Sequence, residues 1–329
     1  MKALVTGAIV AAVMGTATAA WAADPIVMRI SHQMPPAHHI AKLVEQFAAD
    51  VEERTGNKVD VQIFGSSQVF QPDQNHPAVA RGQIEAAIAV NFQWGNTIPE
   101  MNVLTLPYYF TDMKRIEAFP GSEAAKFLEA KLLEKGVKNV AWFYTTRQSA
   151  FTSSNRPLVK PEDFKGVKIR GLNKLVDNAL TAVGAAPAAM PGSEVYQALQ
   201  TGVIDAGLTD VSAAYSRKYY EVQKYATITP FFSVYFHMYA NPAWWNGLPE
   251  DVRTAIGEAA AKAERDAIPI TEKSADEAIA ELKAKGMQVH VHTEDEARAF
   301  REAMQAPVIE AFRKASSDAG TIIDLVDKL

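Results

Sequence analysis

The chain has 329 residues, 48% of them hydrophobic and 22% charged, with a formal net charge of −5. That is enough apolar material for one large domain or two of moderate size, and too acidic a balance for a surface built to hold nucleic acid. The absence of cysteine excludes disulfide staples, thiolate catalysis and cysteine-rich metal sites.

Lys2 precedes an apolar run from Ala3 to Val13, and Ala20-Trp21-Ala22 forms a small-x-small cleavage pattern. The run is too short to cross a bilayer. It predicts a signal peptide over 1–22, export to a bacterial periplasm, and a mature chain that is not membrane-embedded. Ile26–Ser31 then reads as a strand ending at His32, followed by a helix carrying Leu43, Phe47 and Val51 on one face. Val59–Phe64 alternates as a second strand, His76–Gly82 reads as a short helix, and Ile84–Val90 as a buried third strand. This β-α-β-α-β order predicts a parallel sheet covered by helices. Asn91, Phe92, Gln93 and Trp94 follow at a strand's carboxyl end, where open α/β sheets bind ligands.

A helix over Ser122–Glu134 and a strand over Val140–Arg147 come next. In Val167-Lys168-Ile169-Arg170 apolar and cationic residues alternate, and Arg170 closes the strand. A guanidinium held there is permanently charged and shaped to grip a carboxylate with two parallel hydrogen bonds. Arg147, closing its own strand, is a second such residue. Further on, the pattern predicts helices over Leu175–Val183 and Ser193–Gln200, a strand and loop over Val203–Asp210, and a helix through Tyr215 and Tyr219. One apolar, strand-like run is expected over Ile228–Ala240, then a long helix from Pro249 kinked at Pro269, a strand at Val289–Val291 and two closing helices.

No dinucleotide fingerprint, phosphate loop, nucleophile elbow or paired-histidine zinc motif occurs. His38-His39, with His32 before it, and His290 with His292 lack a carboxylate at useful spacing, so no metal site and no cofactor is expected. No nucleophile–base pairing follows from spacing, and no enzyme activity is predicted.

Several segments occur in order: Arg147-Gln148, Ser153-Ser154-Asn155-Arg156-Pro157, Pro161-Glu162-Asp163-Phe164-Lys165-Gly166-Val167-Lys168-Ile169-Arg170, the run Glu194-Val195-Tyr196-Gln197-Ala198-Leu199-Gln200-Thr201-Gly202, and Tyr219-Tyr220-Glu221-Val222-Gln223-Lys224-Tyr225. With Thr55-Gly56-Asn57-Lys58, Leu106-Pro107-Tyr108 and Leu248-Pro249-Glu250-Asp251, they resemble the periplasmic solute-binding proteins of tripartite ATP-independent periplasmic (TRAP) transporters, the DctP-like family. The resemblance covers essentially the whole mature chain.

It implies an α/β, two-lobed periplasmic binding protein fold with a ligand cleft between the lobes and a long kinked helix spanning both. The expected division is 23–146 plus about 229–268 for lobe I, and 147–228 plus about 269–329 for lobe II. The ligand implied is a small organic acid anion delivered to TRAP membrane subunits. In the family the Arg corresponding to Arg170 makes the two-pronged bond to the acid, and the one corresponding to Arg147 assists. The chain departs from the pattern at Thr209, where the family often carries Asn, and at Gly171-Leu172, which replaces a common Val-Pro. Asn91, Gln93 and Trp94 stand where sugar-acid binders carry charged residues. With Phe232 and His32 they complete the ligand-binding candidates, and they suggest a small or apolar tail rather than a polyhydroxylated one. Two other roles stay open at this point: a binding protein serving an ABC permease or a sensor, and a periplasmic enzyme acting on organic acids.

Overall fold

The computed structural model describes residues 24–329, so the segment expected to be a signal peptide lies outside the described residues. Strands β1 (Ile26–Ser31), β2 (Val59–Phe64), β3 (Ala86–Val90) and β4 (Lys138–Thr146) belong to a first sheet. Strands β5 (Ser149–Ser153), β6 (Lys168–Gly171), β7 (Ala186–Ala189), β8 (Ala206–Asp210) and β9 (Tyr225–Thr229) build a second. The chain then returns to the first sheet as β10 (Val234–Ala240) and to the second as β11 (Gln288–Val291), giving orders β2-β1-β3-β10-β4 and β11-β9-β5-β8-β6-β7. Each sheet organises one lobe of the predicted two-lobed α/β fold.

The first sheet is mixed rather than purely parallel. β1 pairs in parallel with β2 and β3, but β10 runs antiparallel to both β3 and β4. The cause is connectivity: β10 arrives from the other lobe instead of through a helical crossover. The single strand expected over Ile228–Ala240 is likewise two strands in different sheets. Pro230 lacks a ladder donor, and residues 230–233 form the bridge between β9 and β10.

Three connections join the lobes: β4 to β5, β9 to β10, and the 35-residue helix Glu250–Ala284, which contains Pro269. Its first half contributes Ile256 and Ala260 to the larger core, and its second half contributes Ala275, Ala278 and Leu282 to the core of the second lobe. The helix Glu294–Ala315 opens with a capping box between Thr293 and Glu296 and buries Phe300, Met304, Val308 and Phe312 at four-residue spacing. Phe300 packs on Phe151 and Phe164, while Gln305 Nε2 donates to the Pro107 carbonyl, so this helix touches both lobes. The final helix, Ala319–Val326, is tied to the helix Glu123–Glu134 by Lys131 and Asp318, 2.7 Å apart.

Candidate functional site

β6 delivers Arg170 into the interior. Lys168 faces water, but Ile169 and Arg170 are buried, Arg170 with 3% of its surface exposed. Its Nε donates to the Met190 carbonyl at 3.2 Å and its Nη1 to the Leu208 carbonyl at 2.8 Å. These bonds fix the guanidinium plane, with the Phe92 ring centroid from the opposite lobe 5.9 Å from Cζ. Burial pushes its pKa down to about 10, Tyr219 opposing the shift and Arg217 adding to it. The group therefore stays charged at neutral pH. Among the described residues Arg170 has no carboxylate partner within 4.0 Å.

Arg170 lines a small cavity between the lobes, about 30 Å³ in volume, with room for roughly two or three waters at about 10–15 Å³ each. Leu172, Gly192, Thr209, Asp210 and Arg217 form the wall from the second lobe. Gln33, Val90, Phe92, Phe232, Val234 and Phe236 form the wall from the first lobe and the bridge. Phe92 and Leu172 also line a wider outer cleft of about 350 Å³ with Gln93, Trp94, His76 and Met190. The lobes are thus drawn together over the cationic centre.

The candidates from sequence divide into three groups. Arg170, Thr209 and Phe232 meet in the inner cavity. Gln93 and Trp94 line the outer cleft, where Trp94 Nε1 donates to His237 Nε2 at 2.7 Å. Asn91, His32 and Arg147 line neither space. Asn91 accepts the Tyr235 amide through Oδ1 at 3.1 Å, pinning the segment after β3 to β10. His32 Nδ1 accepts the Met34 amide, and burial pushes its pKa down to about 4, so it is neutral. Arg147 pairs with Glu272 of the long helix at 2.9 Å, and Tyr144 Oη donates to the same carboxylate at 2.7 Å. That network fastens the β4–β5 connection to the third connection between the lobes.

Sequence reasoning missed Arg217, Gly192, Gln33 and the latch residue Asn173. Asn173 reaches across the lobes: its Nδ2 donates to the Phe92 carbonyl and to Asn102 Oδ1, both at 2.8 Å. Its Oδ1 accepts the Leu175 and Val176 amides. The signal for Asn173 was an Asn able to form an Asx-turn shortly after the Arg170 strand.

Asp177 supports the Arg170 strand from behind. Its Oδ1 accepts the Leu172 amide at 2.7 Å, and a Cβ on Gly171 would lie 2.3 Å from its Oδ2. Burial pushes its pKa up from 3.8 to about 6, against hydrogen bonds from the Leu172 and Asn173 backbone. A folded-state value raised above the unfolded one means that its stability contribution is complete below about pH 3.8 and lost as pH rises through about 6. Asp177→Asn is therefore expected to raise stability at pH 7–8 by up to about 3 kcal/mol, at about 1.4 kcal/mol per unit, with little change at pH 4. Denaturant melts at the two pH values check this, and an equal effect at both would refute it.

Among the described residues no helix is long and apolar enough to cross a membrane, and no group of three or more His, Cys, Asp or Glu residues could hold a metal ion. A family model described as bacterial extracellular solute-binding protein, family 7 (DctP), matches residues 30–315. The chain is 32% identical over 285 residues to the C4-dicarboxylate-binding periplasmic protein DctP of Rhodobacter capsulatus, covering 86% of this chain and 85% of that protein. It superposes with a TM-score of 0.85, at 27% identity, on a TRAP periplasmic solute-binding protein from Desulfovibrio salexigens with bound orotic acid, covering 92% and 97% of the two chains. A second solved relative, from Shewanella oneidensis with bound succinate, gives a TM-score of 0.84 at 26% identity, with coverage of 92% and 98%.

Proposed function

We propose that this chain, which belongs to the DctP family of bacterial extracellular solute-binding proteins, captures a small organic acid anion between its lobes and delivers it to the membrane subunits of a TRAP transporter. The observation that carries the reading is Arg170: a buried, oriented guanidinium without a carboxylate partner, facing an interlobe cavity. Holding such a charge out of water costs several kcal/mol unless an anion compensates it. The relatives described as TRAP binding proteins with bound orotic acid or succinate carry ligands of the corresponding chemistry. Export through the N-terminal segment places the receptor in the periplasm, and its role is binding rather than catalysis.

The acid docks first on the second lobe, where Arg170 and Thr209 reside. Closure then brings Phe92, Phe232 and Phe236 over it, excluding water and strengthening the ion pair in a medium of lower dielectric. Contacts made only in the closed form draw the equilibrium toward closure, and the closed pair of lobes is the surface offered to the transporter. Bridge residues 230–233 and the Arg147–Glu272 pair lie where the lobes would rotate. A melting screen against mono- and dicarboxylates, 2-oxo acids, sulfonates and neutral sugars tests the reading. A ligand at a hundredfold excess over its Kd adds about 2.7 kcal/mol, a rise of several degrees. Stabilisation by neutral sugars alone, with no acid active, would refute it.

A further inference from the structure

The bridge between β9 and β10 is held by a residue to which the acid site gives no task. Tyr108 precedes the helix Met113–Ala118 and has φ 56, a left-handed backbone disfavoured for a bulky side chain. It is buried, with 6% of its surface exposed. The contacts that hold this conformation all bear on one turn. Its amide donates to the Phe231 carbonyl at 2.6 Å, and its hydroxyl lies 3.2 Å from Thr229 Oγ1. Its ring meets Phe231 edge-on, with centroids 5.5 Å apart, and Arg301 Cζ lies over the ring, 5.6 Å from its centroid. Burial pushes the phenol pKa up to about 12, with Thr229 and Arg301 opposing the shift, so the group is a neutral hydroxyl.

Pro230 is the centre of that turn. Phe231 N donates to the Thr229 carbonyl at 2.8 Å, closing a three-residue turn, and the proline ring fixes φ at its middle. Beyond it, Ser233 Oγ donates to the Phe110 carbonyl, and Phe110 packs on Phe119 and Tyr235. Phe231 and Ser233 are therefore tied to residues 108–110 of the first lobe, whereas Thr229 ends β9 in the second. Rotation of the lobes along this connection falls on Thr229, Pro230 and Phe231. Tyr108 holds both sides of it: its backbone takes Phe231 and its side chain takes Thr229. Phe232, the next residue, lines the inner cavity and packs on Phe231, with ring centroids 4.9 Å apart. The orientation of the turn thus sets where Phe232 stands in the cavity wall.

We propose that Tyr108 is a positioning residue for ligand capture: it clamps the Pro230 turn from both sides in the geometry that seats Phe232 over the cavity, and its hydroxyl contact with Thr229 belongs to the closed form alone. Breaking that contact lowers the population of closed molecules without touching the cavity wall. The part of the inference that concerns capture rests on the reading of the cavity as an acid-binding site; the part that concerns closure does not.

The chain has no cysteine, so Leu133→Cys with Val203→Cys, at exposed positions on the two lobes, places one spin label on each. Distance distributions of the ligand-free protein then read closure directly. Tyr108→Phe keeps the ring and the amide and removes only the hydroxyl. It is expected to reduce the closed population by about threefold to tenfold, the scale of one buried hydrogen bond. With succinate and orotate as probes, the same variant should bind more weakly by a similar factor, through faster dissociation with the association rate within about twofold of wild type. Thr229→Val should reproduce the loss, and the double variant should lose no more than either single one. Distance distributions unchanged by Tyr108→Phe, or losses that add in the double variant, would overturn the proposal. A tyrosine that merely stabilised the fold would lower the unfolding midpoint and leave the distributions as they are. Failure of the wild type to bind any acid would remove the acid site itself, and the ligand-free distributions would still decide the role of Tyr108.

Discussion

Replacing Arg170 by alanine is expected to reduce affinity for the acid ligand by about 2–5 kcal/mol, between roughly thirtyfold and several thousandfold. The reason is the asymmetry of buried charge. A carboxylate enclosed by Phe92, Phe232 and Phe236 without its guanidinium keeps the full cost of leaving water and loses the interaction that offset it. Arg170→Lys should lose a large part of the same energy, because an ammonium cannot donate in parallel to two carboxylate oxygens while also meeting the carbonyls of Met190 and Leu208. The ligand-free protein offers a control of opposite character. Arg170→Ala removes a charge that the fold holds out of water without a carboxylate partner, so its melting temperature should change far less than its affinity. Calorimetry with the best acid from the screen decides the matter: either variant within about twofold of wild type would remove Arg170 from the role.

How much of this could be read from the chain follows from what periodicity encodes. β1, β2 and β3 appeared in the sequence because their alternation or continuous apolar character reflects burial against neighbours in the same lobe. The site was legible only in its nearer half. Arg170 ends a strand whose carboxyl edge faces the cleft, and a strand's direction is a local property. Arg217 went unnoticed in the sequence, because its inward direction depends on the left-handed turn at Lys218 and the bare backbone of Gly192. Arg147 has the same sequence character as Arg170, yet its guanidinium is taken up by Glu272, 125 residues away in the long helix. Asn91 has ligand-like chemistry at a ligand-like place, and the Tyr235 amide claims its Oδ1. In each case the deciding contact comes from a distant segment, and no local pattern carries it. The bridge at residues 230–233 is the backbone version of the same effect: the apolar run continues from β9 into β10 while the sheet that receives it changes.

Gly95→Ala is expected to be the most damaging small substitution outside the acid-binding wall. The backbone of Gly95 is ordinary, at φ −56 and ψ −19, so glycine is required there by proximity rather than by conformation. A Cβ would lie 2.3 Å from Asn102 Oδ1 and 2.6 Å from Asn173 Nδ2, inside the latch between the lobes. Those amide groups have little freedom to move aside. Asn102 and Asn173 are both buried. Asn102 Nδ2 donates to the Gly95 and Pro99 carbonyls at 3.1 and 3.0 Å, and Asn173 Nδ2 donates to Phe92 and Asn102. Making room for one methyl group therefore breaks one or two buried hydrogen bonds, at about 1–3 kcal/mol each, and the break falls on contacts made only when the lobes are together. Apparent affinity scales with the fraction of molecules able to close. A loss of about 2–4 kcal/mol from the closed state would weaken acid binding by roughly thirtyfold to a thousandfold, although every side chain of the cavity wall is intact. The signature separating this from damage to the anchor is kinetic: the association rate should change little, because the acid still docks on Arg170, and the complex should dissociate faster. Small-angle scattering should show the ligand-saturated variant more open than wild type. Unchanged scattering together with an affinity within twofold of wild type would mean that the Asn102–Asn173 contact does not hold the lobes closed.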